Sequence, residues 1–310
     1  MAAEHLRPLA PPMTPPPEMT TSQPRERRTI PWLPVLCLVA GIAVPLTGCQ
    51  KRSEVGQAAG NMIASGRTGS RIVFSLPRQV QLPVRWVAPG SFDMGSPANE
   101  PNRLDDEVQH EVDLTDGFFI AETETTQEQW SSLMPRNPSS SQQARRPIEN
   151  VSWDDSRRFC QELTRHQKSN GDLPEGWEWD LPTEAQWERA CRAGTQGPFG
   201  AALASVGWYS GNSGGTSHPV ALKTANAWGL HDMHGNVAEW CRDWFSSYPT
   251  NRNNWTDPVG PIWSFAPVVR GGSFRSAEAE CRSAARTAGL PDAVPNNSLG
   301  FRPVLKKKTS

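Results

Sequence analysis

The chain has 310 residues and a formal charge of -1 at pH 7, with 36% hydrophobic residues, enough for one large domain or two ordinary ones. That near-neutral balance excludes a nucleic-acid surface and an acidic-substrate funnel. Aromatic usage is lopsided, with 13 Trp against 2 Tyr beside 25 Gly and 29 Pro. This composition points to a core assembled from loops and short elements, with the Trp rings inside it rather than set out as a sugar-stacking platform.

Residues 1–24 are rich in Pro, Met and Thr without periodicity, as in a disordered segment. Arg25, Arg27 and Arg28 then precede an apolar run from Ile30 to Leu46, broken by Pro31, Pro34 and Pro45. The run is too interrupted for a transmembrane helix and reads as a secretory signal. It closes on Leu46-Thr47-Gly48-Cys49, which is similar to a bacterial lipobox, so residues 1–48 are expected to be a disordered start plus lipoprotein signal peptide, with Cys49 the lipidated residue. Gln50 follows, not a retention-type Asp. The expectation is an exported protein anchored through lipid to the outer membrane or cell surface, facing an oxidising compartment. Residues 49–83 read as a tether, 84–305 as the globular domain and 306–310, with Lys306 to Lys308, as a basic tail.

Disulfides persist in such a compartment, and Cys160, Cys191, Cys241 and Cys281 form an even set open to three connectivities. Cys160–Cys191 and Cys241–Cys281 are the expected pairs, on the view that the elements below bring those segments together. No CxxC or Cys/His ligand spacing exists, which argues against zinc.

In chain order, Val84 to Val87 alternates as a short strand, and Pro89-Gly90 turns it into a second strand from Ser91 to Gly95. His110 to Leu114 alternates again, and Gly117 to Ile120 adds an apolar strand. Thr125-Thr126 opens a capped helix running into Trp130. Ser152-Trp153-Asp154-Asp155 resembles a capping box with an acid in place of Glu, and the helix behind it carries Phe159, Cys160 and Leu163 on one face. Thr183 caps a further helix bearing Trp187, Ala190 and Cys191, closed by Gly194 in the left-handed region. Short strands follow at 239–243 and 268–271. The class is mixed α+β with much irregular structure.

Several motifs stand in order along this domain. They are Ala88 to Ser96, Glu122 to Thr126, Pro147 to Trp153, Leu181 to Glu188, Gly229 to Trp240, Arg270 to Phe274, and Leu299 to Arg302. In that order the chain resembles the formylglycine-generating enzyme (sulfatase-modifying factor) family from Val84 to Leu305. The resemblance implies a C-type-lectin-like fold of low regular secondary structure, with a small antiparallel sheet and structural calcium. It also implies an oxidase that converts a sulfatase cysteine to formylglycine with oxygen and copper, the metal held by two thiolates, since soft sulfur ligands select Cu(I).

The family's two copper cysteines fall, counted from Ser273, on Ser276 and Cys281. One ligand is therefore a hydroxyl, a poor partner for Cu(I), and copper is not expected. Cys281 also matches a cysteine of non-catalytic relatives in which a disulfide is the natural role. Ser273 and Ser276 with Cys281 remain the pocket candidates, and Arg275, Glu278 and Glu280 are further polar residues of the same segment.

For calcium, the resemblance assigns side chains of Asp232 and Glu239 and carbonyls of Gly235 and Val237, a set of hard oxygen donors around a tight turn. The bland alternative has Asp232 and Asn236 capping turns while Glu239 pairs with an arginine. A second family calcium position would use Asn212 and Ser213, but its acid falls near Ala221. His231 and His234 read as surface or supporting residues, since calcium does not use imidazole. The function expected is a membrane-anchored, non-catalytic binding or structural module with a protein or glycan ligand and no nucleic acid. The alternative is a formylglycine-generating oxidoreductase.

Overall fold

Strand alternation and helix capping set the elements of a computed structural model, which describes residues 52–248, 254–289 and 296–308. The expected disordered start, signal peptide and lipidated Cys49 lie outside the described residues. In chain order the elements are α1 (Glu54–Ser65), β1 (Arg71–Ser75), β2 (Gln81–Val87), β3 (Gly90–Met94), β4 (His110–Leu114) and β5 (Phe118–Ala121). Next come α2 (Gln127–Leu133), α3 (Trp153–Asn170), β6 (Trp177–Asp180), α4 (Glu184–Arg192), α5 (Leu203–Val206), β7 (Gly207–Trp208) and β8 (His234–Gly235). The last are β9 (Ala238–Trp244), β10 (Asn254–Thr256), β11 (Pro267–Arg270), β12 (Arg286–Ala288), β13 (Leu299–Gly300) and β14 (Val304–Lys307).

The main sheet has the order β1-β2-β5-β14-β6 and is antiparallel throughout. A second sheet runs β10-β4-β3 and a third β12-β11-β9-β13, in which β13 lies parallel to β9. Beside them β7 and β8 form a short parallel pair. The mixed α+β class with small, mainly antiparallel sheets is as expected.

Two boundaries differ from the sequence reading. Residues 54–83 are folded, not a tether: Ser53 caps α1 by accepting from the Gly56 N–H at 3.0 Å, and β1 is the edge strand of the main sheet. The core face of α1 is Val55, Ala58, Ala59, Met62 and Ile63, and Gly56 and Gly60 weaken the helical signal around it. At the other end, Lys306 is not tail. It is 5% exposed in β14 and bridges Glu178 and Asp180 at 3.5 and 3.6 Å.

The caps follow the sequence. Thr126, Ser152 and Thr183 each accept from the third helical N–H, with Gln129, Asp155 and Gln186 reaching back to complete capping boxes. The left-handed cap of α4 is Ala193, at φ +46°, and the expected Gly194 follows it at φ +89°. α3 buries Trp153, Ser156, Phe159, Cys160, Leu163 and Gln167, one helical face. Phe159 stacks on Trp130 at 5.6 Å and meets Phe301 edge-on at 5.4 Å. Trp86, Trp130, Trp153, Trp177, Trp179, Trp187 and Trp240 are all buried, so tryptophan is mostly core; Trp263, 76% exposed, departs from that. Among the described residues no helix is long and apolar enough to cross a membrane.

Candidate functional site

The segment from Gly229 to Trp240 crosses the domain as a series of left-handed turns. Gly229, Asp232, Gly235 and Asn236 all have positive φ, and Asp and Asn are the side chains that bear this most easily. At Gly235 a Cβ would stand 2.1 Å from the Trp208 carbonyl oxygen, so only glycine fits. The turn is stitched to two neighbours: Asn236 N–H donates to the Trp208 carbonyl at 2.7 Å, and Gly235 N–H to that of Gly271 at 2.8 Å.

Glu239, the next acid along, is fully engaged. Arg302 Nη2 donates to its Oε1 at 2.7 Å and Nε to its Oε2 at 2.7 Å, while the Trp187 indole N–H donates to Oε2 at 2.7 Å. Both partners of this ion pair are buried, and Arg302 also donates to the carbonyls of Ala121 and His231. Glu239 is thus a counter-ion, the bland alternative of the sequence reading.

Asp232 behaves otherwise. Its Oδ2 accepts from the Ala221 N–H at 2.7 Å, but its buried Oδ1 has no donor. Glu124, which sequence reasoning did not single out, has the same character. Its Oε1 accepts from the Val237 N–H at 3.3 Å and its buried Oε2 has no donor. Burial, and after it the charge of Asp232, pushes the Glu124 carboxyl well above the usual carboxylate range. Burial likewise raises Asp232. Two carboxyls therefore stand in excess over Arg302, with two orphaned oxygens, a hard-donor arrangement that suits a hard cation better than the expected Asp232–Glu239 set. Among the described residues no group of three His, Cys, Asp or Glu side chains is placed to hold a metal ion, so carbonyls such as those of Gly235 and Val237 would have to complete such a site. Asn212 and Ser213, the second calcium position, are consumed locally: Asn212 bonds Tyr209 N–H and the Gly207 carbonyl, and Ser213 donates to Phe274.

The Gly-Gly-Ser segment follows β11. Arg270 anchors it, fully buried and bonded to Glu188 of α4 and to the carbonyls of Ala284 and Ala285 at 2.8 and 2.7 Å. Glu184 of the same helix holds Arg286 through two 2.7 Å bonds. A cavity of about 380 Å³ opens here, lined by Arg270, Gly272, Ser276, Glu280, Arg282 and Arg286.

Of the pocket candidates, Ser273 and Ser276 come together, their hydroxyls 3.5 Å apart. The Cys281 sulfur packs against Gly272, where a Cβ would be only 2.7 Å away, and hydrogen-bonds the backbone of Ser273. Burial, reinforced by Glu280 and Glu278, pushes the Cys281 thiol up to about 12, so it is protonated at neutral pH. Arg275 and Glu278 are exposed, and the Glu280 carboxylate folds back onto the Ala277 N–H. One protonated thiol beside two hydroxyls is not a Cu(I) donor set.

The expected disulfides are not formed. Cys160, Cys191, Cys241 and Cys281 are free and buried. Cys160 lies in the α3 core, Cys241 in β9, Cys281 on Gly272, and Cys191 beside His234. His234 is also not at the surface. It is 4% exposed, its Nδ1 is 2.8 Å from the Cys281 carbonyl, and burial lowers it to about 4, so the ring is neutral.

This fold, with a Gly-Gly-Ser segment pinned to α4 and a Gly-Asn turn behind it, has relatives. The profile of the sulfatase-modifying factor enzyme 1-like domain matches residues 73–307, and the chain belongs to that family. It is 30% identical over 199 residues to the chaperone protein LppX of Paenibacillus barcinonensis, covering 49% of this chain and 71% of the relative. It is 34% identical over 176 residues to the formylglycine-generating enzyme of Streptomyces coelicolor, covering 50% of this chain and 51% of that enzyme. The chain thus spans about half the length of that enzyme. Among solved structures, Treponema denticola variable protein 1 superposes with a TM-score of 0.66 at 28% identity, covering 76% of this chain and 98% of that one. PvdO from Pseudomonas aeruginosa gives a TM-score of 0.65 at 24% identity, covering 77% and 99%, a likeness of fold.

Proposed function

We propose that this chain is an exported, lipid-anchored binding or structural module of the sulfatase-modifying-factor fold rather than an oxidase. The observation that carries this reading is the Ser276–Cys281 position. A single thiol is present, it is protonated, and its sulfur packs against backbone. The hydroxyl of Ser276 cannot replace a thiolate toward Cu(I). The kinship with a protein named a chaperone is in keeping with a binding role. A protein or glycan ligand would meet the loop surfaces that such a fold presents.

The test is direct. The purified chain, given Cu(I) and oxygen, should leave a CxPxR sulfatase peptide unchanged. Copper bound at Cys281 together with conversion of the peptide's cysteine to formylglycine would establish the alternative, an oxidoreductase. Ser276→Cys should gain copper binding at this position that the parent lacks there.

Two accompanying readings belong to the same proposal. Cys49 carries the lipid, and Cys49→Ala should release the protein from the membrane fraction. A calcium ion is held by Asp232 and Glu124 with carbonyls of the Gly235–Val237 turn, where its role is to neutralise excess buried charge.

A further inference from the structure

We propose that the loop from Pro258 to Phe265 is a membrane-contact element that seats its apolar side chains in the interface of a lipid bilayer. It gives the domain a second contact with the membrane besides the proposed lipid at Cys49. The proposal rests on the membrane-anchored reading for the nearness of the bilayer, but not for the chemistry of the loop.

The loop joins β10 to β11 and carries Val259, Ile262, Trp263 and Phe265, which are 50%, 101%, 76% and 64% exposed. No charged side chain occurs between Pro258 and Phe265. Among the described residues the other exposed large apolar side chains, Leu104, Val108 and Leu222, lie on two other segments. A contiguous apolar patch of this kind marks an interaction surface. The loop is held at both ends. Asp257 accepts from the Thr115 N–H at 2.9 Å, its own N–H donates to the Asp113 carbonyl at 2.9 Å, and the Phe245 N–H donates to the Ala266 carbonyl at 2.8 Å. Pro258 and Pro261 restrict the span between these ties.

The place of the loop in the fold selects its occupant. Ser53, the cap of α1, donates its N–H at 3.1 Å to the carbonyl of Gly171, the C-cap of α3. Cys49 precedes Ser53 by four residues, a reach of at most about 14 Å, so a lipid there holds this end of α3 close to the headgroups. The loop lies at the other end. Gly260 packs on Asp243 and the Trp244 carbonyl, and the Trp244 ring meets Trp153, the first residue of α3, at 5.7 Å. Between these ends α3 runs for about 27 Å. Its outward side carries the exposed Arg158, Gln161, Arg165 and Lys168, at spacings that share one helical face with Asp154, while Glu162 pairs with Arg165. Three cations against two carboxylates leave that side positive, which suits anionic headgroups. A bilayer lying along α3 meets the lipid at one end, the cationic side along its length and the apolar loop at the other. Trp and Phe are side chains that settle at such an interface. A protein partner gripping the loop alone leaves the cationic side without a role.

The test reads Trp263 directly. The full chain carrying Cys49→Ala, which cannot be lipidated, is mixed with vesicles of phosphatidylethanolamine and phosphatidylglycerol with brominated acyl chains, and tryptophan quenching is measured. Quenching should exceed that of Trp263→Phe in the same background, because Phe keeps the contact and removes the reporter. Ile262→Ser with Phe265→Ser should lose most of the Trp263-dependent quenching. Equal quenching with and without Trp263 would overturn the proposal by leaving the loop in water. A chain that sediments as a dimer without vesicles, and as a monomer with Ile262→Ser and Phe265→Ser, would overturn it by assigning the loop to a second copy. The substituted side chains are exposed, and the comparison with Trp263→Phe does not depend on the double variant. A single acyl chain binds only marginally and four side chains bury less, so Cys49→Ala is still expected to leave the membrane fraction of cells. Release in cells thus tests the lipid, and quenching on vesicles tests the loop.

Discussion

Glu239 and Arg302, 63 residues apart in the chain, form a fully buried, two-pronged ion pair that joins β9 to the approach of β14. The pair ties the Gly229–Trp240 segment to the main sheet. Its carboxylate takes a third donor from Trp187 of α4, so three elements meet at one side chain.

Removing one half of this pair should be severe. Arg302→Met leaves Glu239, Glu124 and Asp232 buried without a cation, and a broken buried pair typically costs about 3–5 kcal/mol. Urea unfolding of the parent and the variant measures the difference. A loss under about 1 kcal/mol would show that the pair is not what holds the segment.

Asp243 should make stability pH-dependent. Burial, and then the charge of Glu184, raises it from 3.8 to about 7. The folded state therefore holds its proton where the unfolded chain has released it. Its contribution is present below pH 3.8 and is lost as pH rises toward about 7. Asp243→Asn keeps an acceptor for the Glu184 N–H, so the parent should lose stability relative to this variant across that window. Parallel thermal melts over the same range decide it.

Gly235 should be irreplaceable where Gly215 is not. Both have positive φ, but a Cβ at Gly215 meets nothing within 4 Å while one at Gly235 collides with the Trp208 carbonyl. Gly215→Ala should cost the left-handed strain alone, about 1–2 kcal/mol. Gly235→Ala should cost clearly more, or prevent folding, as read by denaturant midpoints.

Calcium should stabilise the parent chain. At about 100 times the dissociation constant a ligand bound only to the folded state adds about 2.7 kcal/mol. Asp232→Asn and Glu124→Gln, which remove the excess charge, should melt at the same temperature with and without calcium. An equal calcium response in parent and variants would place the ion elsewhere.

Thiol titration should find all four domain cysteines free. Denatured without reductant, Cys160, Cys191, Cys241 and Cys281 should each react with a thiol reagent. Tryptic peptides linked through sulfur would restore the disulfide reading.

Much of this was legible in the sequence. The capping boxes at Thr126, Ser152 and Thr183, the strand at His110–Leu114 and the ordered family motifs are local patterns, decided by residues within a turn or two of one another. In α1 the apolar face of Val55, Ala59, Met62 and Ile63 is interrupted by Gly56 and Gly60, poor helix formers that blur the local signal. Cysteine count and compartment suggested pairs, but pairing needs matched geometry, and all four thiols are free and buried.

The sequence by itself determined the family and the chemistry of the turns, because these reside in residue identity and short spacing. Only the tertiary structure decided the partners of the buried charges. Glu239 went to Arg302, Glu124 joined Asp232, and Cys191 came to face His234, 43 residues away. A buried polar atom must take its partner from whatever the fold packs against it, and no local pattern records that neighbour.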